Sequence, residues 1–210
     1  KKGGFQDGWE DAMRAHQVPE WYIESLAKIA YLFPKAHAVA YVMMAFRIAY
    51  FKVHYPLAFY SAYFYRRSQK DAFDAEMMTR GGDAVRRRIA ELEKKTDASA
   101  KEEELLTTLE AVYEFYLRGF SFAPMDIYEC DTARFLPVGD RQLRPPFVAV
   151  SGLGAAAAAD LTACRESGRR FVSMEELSAA CPKVSQTNLE QLRTLGALGD
   201  MPSESQMTLF

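Results

Sequence analysis

Three prolines divide the apolar first third of this chain into segments of helical length. Pro19, Pro34 and Pro56 stand between runs in which apolar residues recur at helical spacing. Proline is tolerated in the first turn of a helix but breaks the interior, so each proline marks a start or an interruption. The pattern predicts helix over about 8–32 with a break at Pro19, over about 34–53, and from Pro56 to about 67. The fold class is therefore mainly α.

The pattern changes near Gly119. Before it, Gly81-Gly82 precedes a charged helix over about 84–95, and a second helix over 102–117 ends at Arg118-Gly119. After it, strand-like pieces lie around 125–128, 134–138 and 147–150, and short helices return over 151–199. We expect a helical domain over 1–118, a small α+β domain with helix-hairpin-helix units over 119–202, and a flexible tail over 203–210.

Charge is distributed unevenly along the chain. The net charge is −2, which excludes a generally basic nucleic-acid-binding protein. Residues 1–70 nevertheless hold ten Lys and Arg against five Asp and Glu, an excess of +5, whereas 71–130 hold eight against fourteen, or −6. This asymmetry suits a protein that meets a polyanion with one region only.

Cysteine usage and hydropathy point to a cytoplasmic protein. The three cysteines and three histidines lack metal-ligand spacing, so reduced thiols are expected and neither a metal site nor a cofactor is predicted in this chain. No apolar run approaches the ~20 residues that a membrane helix needs. The first residue is Lys1 rather than Met, a pattern typical of a fragment or a processed terminus.

The helix that begins near Pro34 carries one candidate site. Lys35 lies in its first turn, where free N–H groups and the helix dipole favour a phosphate. His37 and Tyr41 are four residues apart and share a face, where their rings could stack on a sugar or a base. The alternative is a buried helix with a core histidine. The Met and aromatic residues further along are expected to pack the helix; they are Met43, Met44, Phe46, Ile48 and Phe51.

A second candidate site follows Phe147–Val150, where Gly152 and Gly154 flank Leu153 before an alanine-rich helix. The glycines permit positive φ and let main-chain N–H groups reach a phosphate, while Leu153 would anchor the turn in the core. A second unit starts at Lys183 and closes at 195–199. Since the alanine run offers no cation, nearby arginines must supply the charge. The predicted DNA-binding residues are Ser151, Gly152, Leu153, Gly154, Arg165 and Lys183, with Arg169 and Arg170 as weaker candidates.

Three stretches carry a resemblance to a known family. The run "YLFPKAHAVAYVMMAFRIAYFKVHYPLAFYSAYF" from Tyr31 to Phe64 resembles the fingers segment of C-family replicative polymerases, the bacterial DNA polymerase III α subunits, most closely the PolC type. The preceding "VPEWYIESLAKIAYLFPKAHA" also looks like that type. The array beginning "PPFVAVSGLGAAAAAD" is similar to the tandem helix-hairpin-helix duplex-binding domain of these enzymes.

The resemblance implies roles for the candidate residues. Lys35, His37, Tyr41 and Arg47 would face the incoming deoxynucleotide or the template, and the hairpins would bind the template-primer duplex. The parent protein would be a DNA-directed DNA polymerase whose palm domain holds Mg²⁺. No Asp-x-Asp arrangement occurs here, so no catalytic residue is predicted and the chain alone should not extend a primer.

The last five residues match the Gln-x-x-Leu-Phe pattern by which replication proteins dock on the β sliding clamp. Leu209 and Phe210 would fill apolar subsites, Met207 would pack beside them, and Gln206 would make the orienting hydrogen bonds. The partners expected on this resemblance are DNA, a deoxynucleotide, the clamp and the rest of the polymerase chain, and no membrane.

Two other interpretations remain open. A stand-alone helix-hairpin-helix module with a clamp-tethering tail would explain residues 119–210, but it leaves the fingers-like helix without a role. An all-α scaffold with a coincidental tail would explain neither the hairpin nor the polymerase-like run.

Overall fold

The computed structural model describes residues 5–29, 34–166 and 168–204. The chain forms two compact units, Lys1–Tyr50 and Phe51–Phe210. The mainly helical class is confirmed. In the described part of the chain, no helix has the length and apolar character needed to cross a membrane.

The first unit contains the first two predicted helices and most of the third. Helix α1 spans Trp9–Ala15, α2 spans Glu20–Ala27, and α3 spans Lys35–His54, of which residues 51–54 belong to the second unit. Pro19 immediately precedes α2 in an extended conformation, which confirms the predicted break. Arg14 Nη2 joins the first two helices through Glu20 Oε1 at 2.8 Å.

The apolar residues of α3 differ from expectation. Met43, Met44, Phe46, Ile48 and Phe51 were predicted to pack the helix, yet each is at least half exposed, and Phe46 is 73% exposed. No described residue of α3 is buried. That prediction is wrong because helical spacing of apolar residues shows that a surface can be buried, and not which surface covers it.

The second unit holds the remaining elements. Its helices and strands are α4 (Pro56–Ser68), α5 (Ala75–Met78), α6 (Gly82–Glu93), α7 (Ala100–Leu117), β1 (Ser121–Phe122), β2 (Leu136–Val138), β3 (Gln142–Arg144), a 3-10 turn (Phe147–Ala149), α8 (Ala155–Glu166), α9 (Met174–Ala180) and α10 (Gln186–Thr194). The sheet has the order β1-β3-β2; β1 is parallel to β3, and β2 is antiparallel to it.

Aromatic side chains form the centre of this unit. Phe64 of α4 is fully buried and lies 5.3–5.6 Å, between ring centroids, from five rings on α4, α7, the sheet and the loops. The same core continues to Leu153, Leu161 and Leu189. Residues on both sides of Gly119 thus share one core, and the domain boundary expected there stays a prediction.

Two of the predicted strands are absent from the structure. Residues 125–126 are irregular and 127–129 form a turn, where the Asp126 carboxylate accepts the Tyr128 N–H at 2.7 Å; residues 147–149 form the 3-10 turn. Within 134–138, only 136–138 is strand. The two assignments are wrong because short apolar runs satisfy a strand and a buried turn equally. A side-chain hydrogen bond from Asp126 favours the first turn, and backbone bonds from Phe147 and Val148 to residues 131 and 132 favour the second.

A capping box fixes the start of α7. The Ser99 hydroxyl accepts the Glu102 N–H at 3.3 Å, and Glu102 Oε2 accepts the Ser99 N–H at 3.0 Å. Glu102 also pairs with Lys95 at 2.6 Å, and chiefly this ammonium, with the Ser99 donors, lowers the pKa of Glu102 to about 2. The cap stabilises a helix whose buried face lines the aromatic core.

Replacing the cap residue should destabilise the protein measurably. Ser99→Ala removes one acceptor for an unpaired helix N–H, and we expect it to lower the free energy of unfolding by about 1 kcal/mol. Urea unfolding followed by circular dichroism measures this. Ser99→Thr keeps the hydroxyl and serves as the control, so an equal loss in both variants would contradict the cap.

Candidate nucleic-acid interface

The turn over residues 151–154 presents its backbone outward. Gly152 has a φ of +76°, a value that L side chains rarely adopt. Leu153 is 3% exposed and belongs to the core, whereas Ser151, Gly152 and Gly154 are exposed. The expected anchoring by Leu153 is therefore present, and it leaves the main chain on either side at the surface.

Several main-chain donors at this turn have no partner within the described residues. Leu153 N–H donates to Val150 at 3.0 Å, and Ala157 and Ala158 donate to Gly154 at 3.0 Å. In the described chain the N–H groups of Ser151, Gly152 and Gly154 make no such bond. Together with the first N–H groups of α8, they form a cluster of exposed donors at a helix N-terminus, which is a favourable place for an anion.

Open space surrounds both glycines. A Cβ built on Gly152 or Gly154 would meet no heavy atom of the described residues within 4 Å. Within that part of the chain nothing requires glycine at 154, where φ is outside the left-handed region. A ligand that approaches the backbone closely would give such a requirement.

The turn forms one wall of a cavity of about 570 Å³. Residues of α6, α7 and the loop before α5 also line it, among them Arg88, Lys101, Asp71 and Asp74. Burial raises the pKa of the Asp74 carboxyl above its ordinary value, and this carboxylate also accepts the Glu76 N–H at 3.0 Å as the cap of α5. The cavity combines exposed N–H donors with two cationic side chains.

The second predicted unit has a similar local build. Helices α9 and α10 are joined by 181–185, Val184 is buried there, and the Lys183 side chain is exposed. The Ser185 side chain caps α10 by accepting the Asn188 N–H at 3.2 Å. The Lys183 N–H donates to Asp160 Oδ2 of α8 at 3.1 Å, so this turn offers the exposed ammonium rather than that amide.

The arginines expected near the first turn are engaged elsewhere. Arg165 Nη1 donates to the carbonyl oxygens of Tyr128 and Cys130. Arg169 pairs with Glu176 at 2.6 Å, and the Arg170 guanidinium lies 4.4 Å from the centre of the Tyr128 ring. The assignment of Arg165 to DNA stays a prediction, and the structure gives that side chain a part in holding the loop before β2.

In the first unit, Lys35, His37, Tyr41 and Arg47 are all exposed on α3. The His37 and Tyr41 rings meet edge to face at 4.5 Å between centroids, which agrees with the shared face that their spacing predicts. Arg47 Nη1 lies 3.9 Å from the Met44 sulfur. The four residues stay a prediction as a nucleotide or template site.

The predicted clamp-binding residues Gln206, Met207, Leu209 and Phe210 lie outside the described residues. Among residues 5–29, 34–166 and 168–204, no group of three or more His, Cys, Asp or Glu side chains could hold a metal ion.

Sequence reasoning missed Arg88 and Lys101. Both stand in charged helical segments that look like ordinary solvated faces, and both are far from the hairpin along the chain. No local motif marks them, because their proximity to residues 151–154 arises only when α6 and α7 pack beside the turn.

Comparison with known proteins identifies a named motif in the part of the chain that contains the 151–154 turn. A family model described as "Helix-hairpin-helix motif" matches residues 119–207. The DNA polymerase III PolC-type of Oceanobacillus iheyensis is 50% identical over 212 residues, covering 100% of this chain and 14% of the relative. The whole chain matches a region of PolC-type DNA polymerase III.

Other PolC-type relatives give the same result. The enzyme of Bacillus cereus is 48% identical over all of this chain, and that of Thermotoga maritima is 47% identical. The chain spans about one seventh of the length of these relatives. The similarity includes residues 1–118, which the helix-hairpin-helix match does not reach.

Proposed function

We propose that this chain is a DNA-handling part of a PolC-type DNA-directed DNA polymerase. In this proposal the 151–154 turn binds the phosphates of duplex DNA through main-chain N–H groups, independently of base sequence. The second unit, with Lys183, binds the duplex further along. The polymerisation chemistry, with its Mg²⁺, belongs to other parts of the polymerase.

One observation carries the proposal: an exposed cluster of N–H donors without a partner among the described residues lies in a region that matches the helix-hairpin-helix motif. Such donors recognise the backbone and not the bases, which suits an enzyme that must move along DNA. Full-length similarity to PolC-type polymerases supports the same role.

The residues of α3 extend the proposal to the nucleotide. Lys35 begins the helix, and the paired rings of His37 and Tyr41 stand one turn further along. A phosphate beside Lys35 and a base or sugar against the rings would fit this spacing. Arg47 would contact the template or the nucleotide.

The last five residues complete the proposal. Gln206, Met207, Leu209 and Phe210 would dock on a β sliding clamp and so hold the polymerase on DNA. The support is the Gln-x-x-Leu-Phe pattern itself, together with the similarity to a replicative polymerase.

A stand-alone hairpin module is the second candidate. It would need only residues 119–210, yet the similarity to PolC-type polymerases covers the entire chain. The polymerase interpretation uses all of the sequence, and we prefer it for that reason.

Gly154→Val tests the duplex-binding turn. A side chain at 154 starts in open space, since its Cβ meets no described heavy atom within 4 Å, and a branched one should block approach to the N–H groups. We expect duplex affinity to fall about tenfold or more, the loss of roughly one charge-assisted hydrogen bond. Fluorescence anisotropy with a labelled duplex measures it.

Gly139→Val is the matched control. Gly139 also has open space around it and, at a φ of +59°, is the more strained position, but it lies in the turn between β2 and β3. Equal affinity for Gly154→Val and the parent chain would refute the role of the turn. A similar loss in both variants would assign the effect to folding.

A further inference from the structure

The turn over 151–154 lacks cationic side chains of its own. Residues 155–159 are alanines, and Arg165 and Arg169 are engaged with carbonyl and carboxylate groups. Neutral N–H donors alone bind a polyanion weakly, because affinity for DNA depends mainly on phosphates neutralised by Lys and Arg. Two cationic side chains, Arg88 and Lys101, line the same cavity as these donors.

Lys101 lies on the cavity wall, in the first turn of α7. Its side chain is exposed, and in the described chain it makes no ion pair within 4.0 Å. Of the three acids that follow it, Glu102 pairs with Lys95 and Glu104 with Lys70, while Glu103 makes no ion pair among the described residues and lines an adjoining depression together with Lys101. The positive charge of Lys101 is therefore available to a ligand.

Arg88 of α6 lines the same cavity. Its Nη1 pairs with Glu91 Oε2 at 2.8 Å, and the Glu91 side chain is 63% exposed. An exposed pair of this kind is weak, whereas an arginine can hold a phosphate with two parallel hydrogen bonds. A phosphate in the cavity can therefore replace Glu91 as the partner of Arg88.

The cavity also contains two carboxylates with different surroundings. Asp74 is half-buried and caps α5, so its charge is partly satisfied. Asp71 is exposed, lines the cavity, and also lines an adjoining depression with Lys101, Arg67 and Lys70. Asp71 would repel a phosphate, so removing its charge should strengthen DNA binding, whereas removing the charge of Lys101 or Arg88 should weaken it.

We infer that Arg88 and Lys101 bind DNA phosphate beside the 151–154 turn, so that the duplex site includes α6 and α7 outside the helix-hairpin-helix region. The inference rests on the proposed duplex binding. It names residues between the polymerase-like N-terminal run and the hairpins as part of one continuous phosphate-binding surface.

The test is a salt titration of duplex binding by the 210-residue chain and its variants. Each neutralised phosphate contributes a slope of about −0.9 to the logarithm of affinity against the logarithm of salt concentration. Lys101→Ala and Arg88→Ala should each lower affinity about tenfold at low salt and make the slope shallower by about one. Lys101→Arg keeps the charge and should have the affinity and the salt slope of the parent chain. Asp71→Asn should raise the affinity for the duplex.

Matched controls separate a local effect from a general loss of charge. Arg87→Ala on the same helix and Lys94→Ala at its end remove the same charges from exposed positions that do not line the cavity. They should leave the slope within experimental error. If Lys101→Ala and Arg88→Ala behave like these controls while Gly154→Val weakens binding, the inference is overturned and the proposed function stands. If the parent chain does not bind duplex DNA, both fail.

Discussion

Deleting residues 206–210 should abolish binding of this chain to a β sliding clamp. We expect the parent chain to bind with a dissociation constant of about 1 μM, or about −8 kcal/mol, and the deletion to raise it at least a hundredfold. A short peptide gains its affinity from a few anchor side chains, so removing them leaves almost nothing. Surface plasmon resonance on immobilised clamp measures both constants.

Single substitutions make the clamp test sharper. Leu209→Ala and Phe210→Ala remove the apolar anchors and should account for most of the loss, whereas Gln206→Ala removes orienting hydrogen bonds and should cost less. Ser203→Ala, just before the motif, is the control and should bind like the parent. Unchanged binding after deletion would show that the tail assignment is wrong, without affecting the duplex-binding turn.

The helices could be predicted because residues close to each helix end determine its boundaries. Two of the prolines stand immediately before a helix, Pro19 before α2 and Pro34 before α3, and Pro56 is the first residue of α4. Gly119 follows the end of α7 and has the positive φ that this helix end needs. The exposed turn at 152–154 was predictable for the same reason, since glycine spacing and a buried Leu153 are local features. These properties depend on few distant contacts.

Features that depend on tertiary packing could not be predicted. The run 147–150 was expected to be a strand, but Phe147 N–H donates to Asp131 and Val148 N–H to Thr132, and the segment closes as a 3-10 turn. The cavity that brings Arg88 and Lys101 to the hairpin depends on how α6 and α7 pack. Neither the 3-10 turn nor the position of Arg88 and Lys101 can be predicted from the neighbouring residues in the sequence.

The apolar residues of α3 show that burial, too, is not predicted reliably from composition. Its composition predicts burial, yet Phe46 is 73% exposed and Tyr41 is 64% exposed. Composition alone cannot distinguish packing side chains from side chains that meet a ligand or another part of a longer protein. The proposed nucleotide contact at Lys35, His37 and Tyr41 uses this exposure.

The largest change in stability is expected from a substitution in the core that the aromatic cluster and the hairpin share. Phe64 is fully buried and contacts rings of α4, α7, the sheet and the loops, including Phe115 of α7 at 5.6 Å and Phe135 before β2 at 5.6 Å between centroids. Phe64→Ala removes a large apolar side chain and leaves a cavity among neighbours that cannot all move inward. We expect the free energy of unfolding to fall by about 3–5 kcal/mol.

Phe46→Ala is the matched control, since it makes the same substitution at an exposed position. It should change the free energy of unfolding by about 0.5 kcal/mol or less. Urea unfolding followed by circular dichroism compares the two variants. A loss below about 1 kcal/mol for Phe64→Ala would contradict the packing described here. Because Leu153 belongs to the same core, a destabilised Phe64→Ala protein should also bind duplex DNA more weakly near its unfolding midpoint, while Phe46→Ala should not.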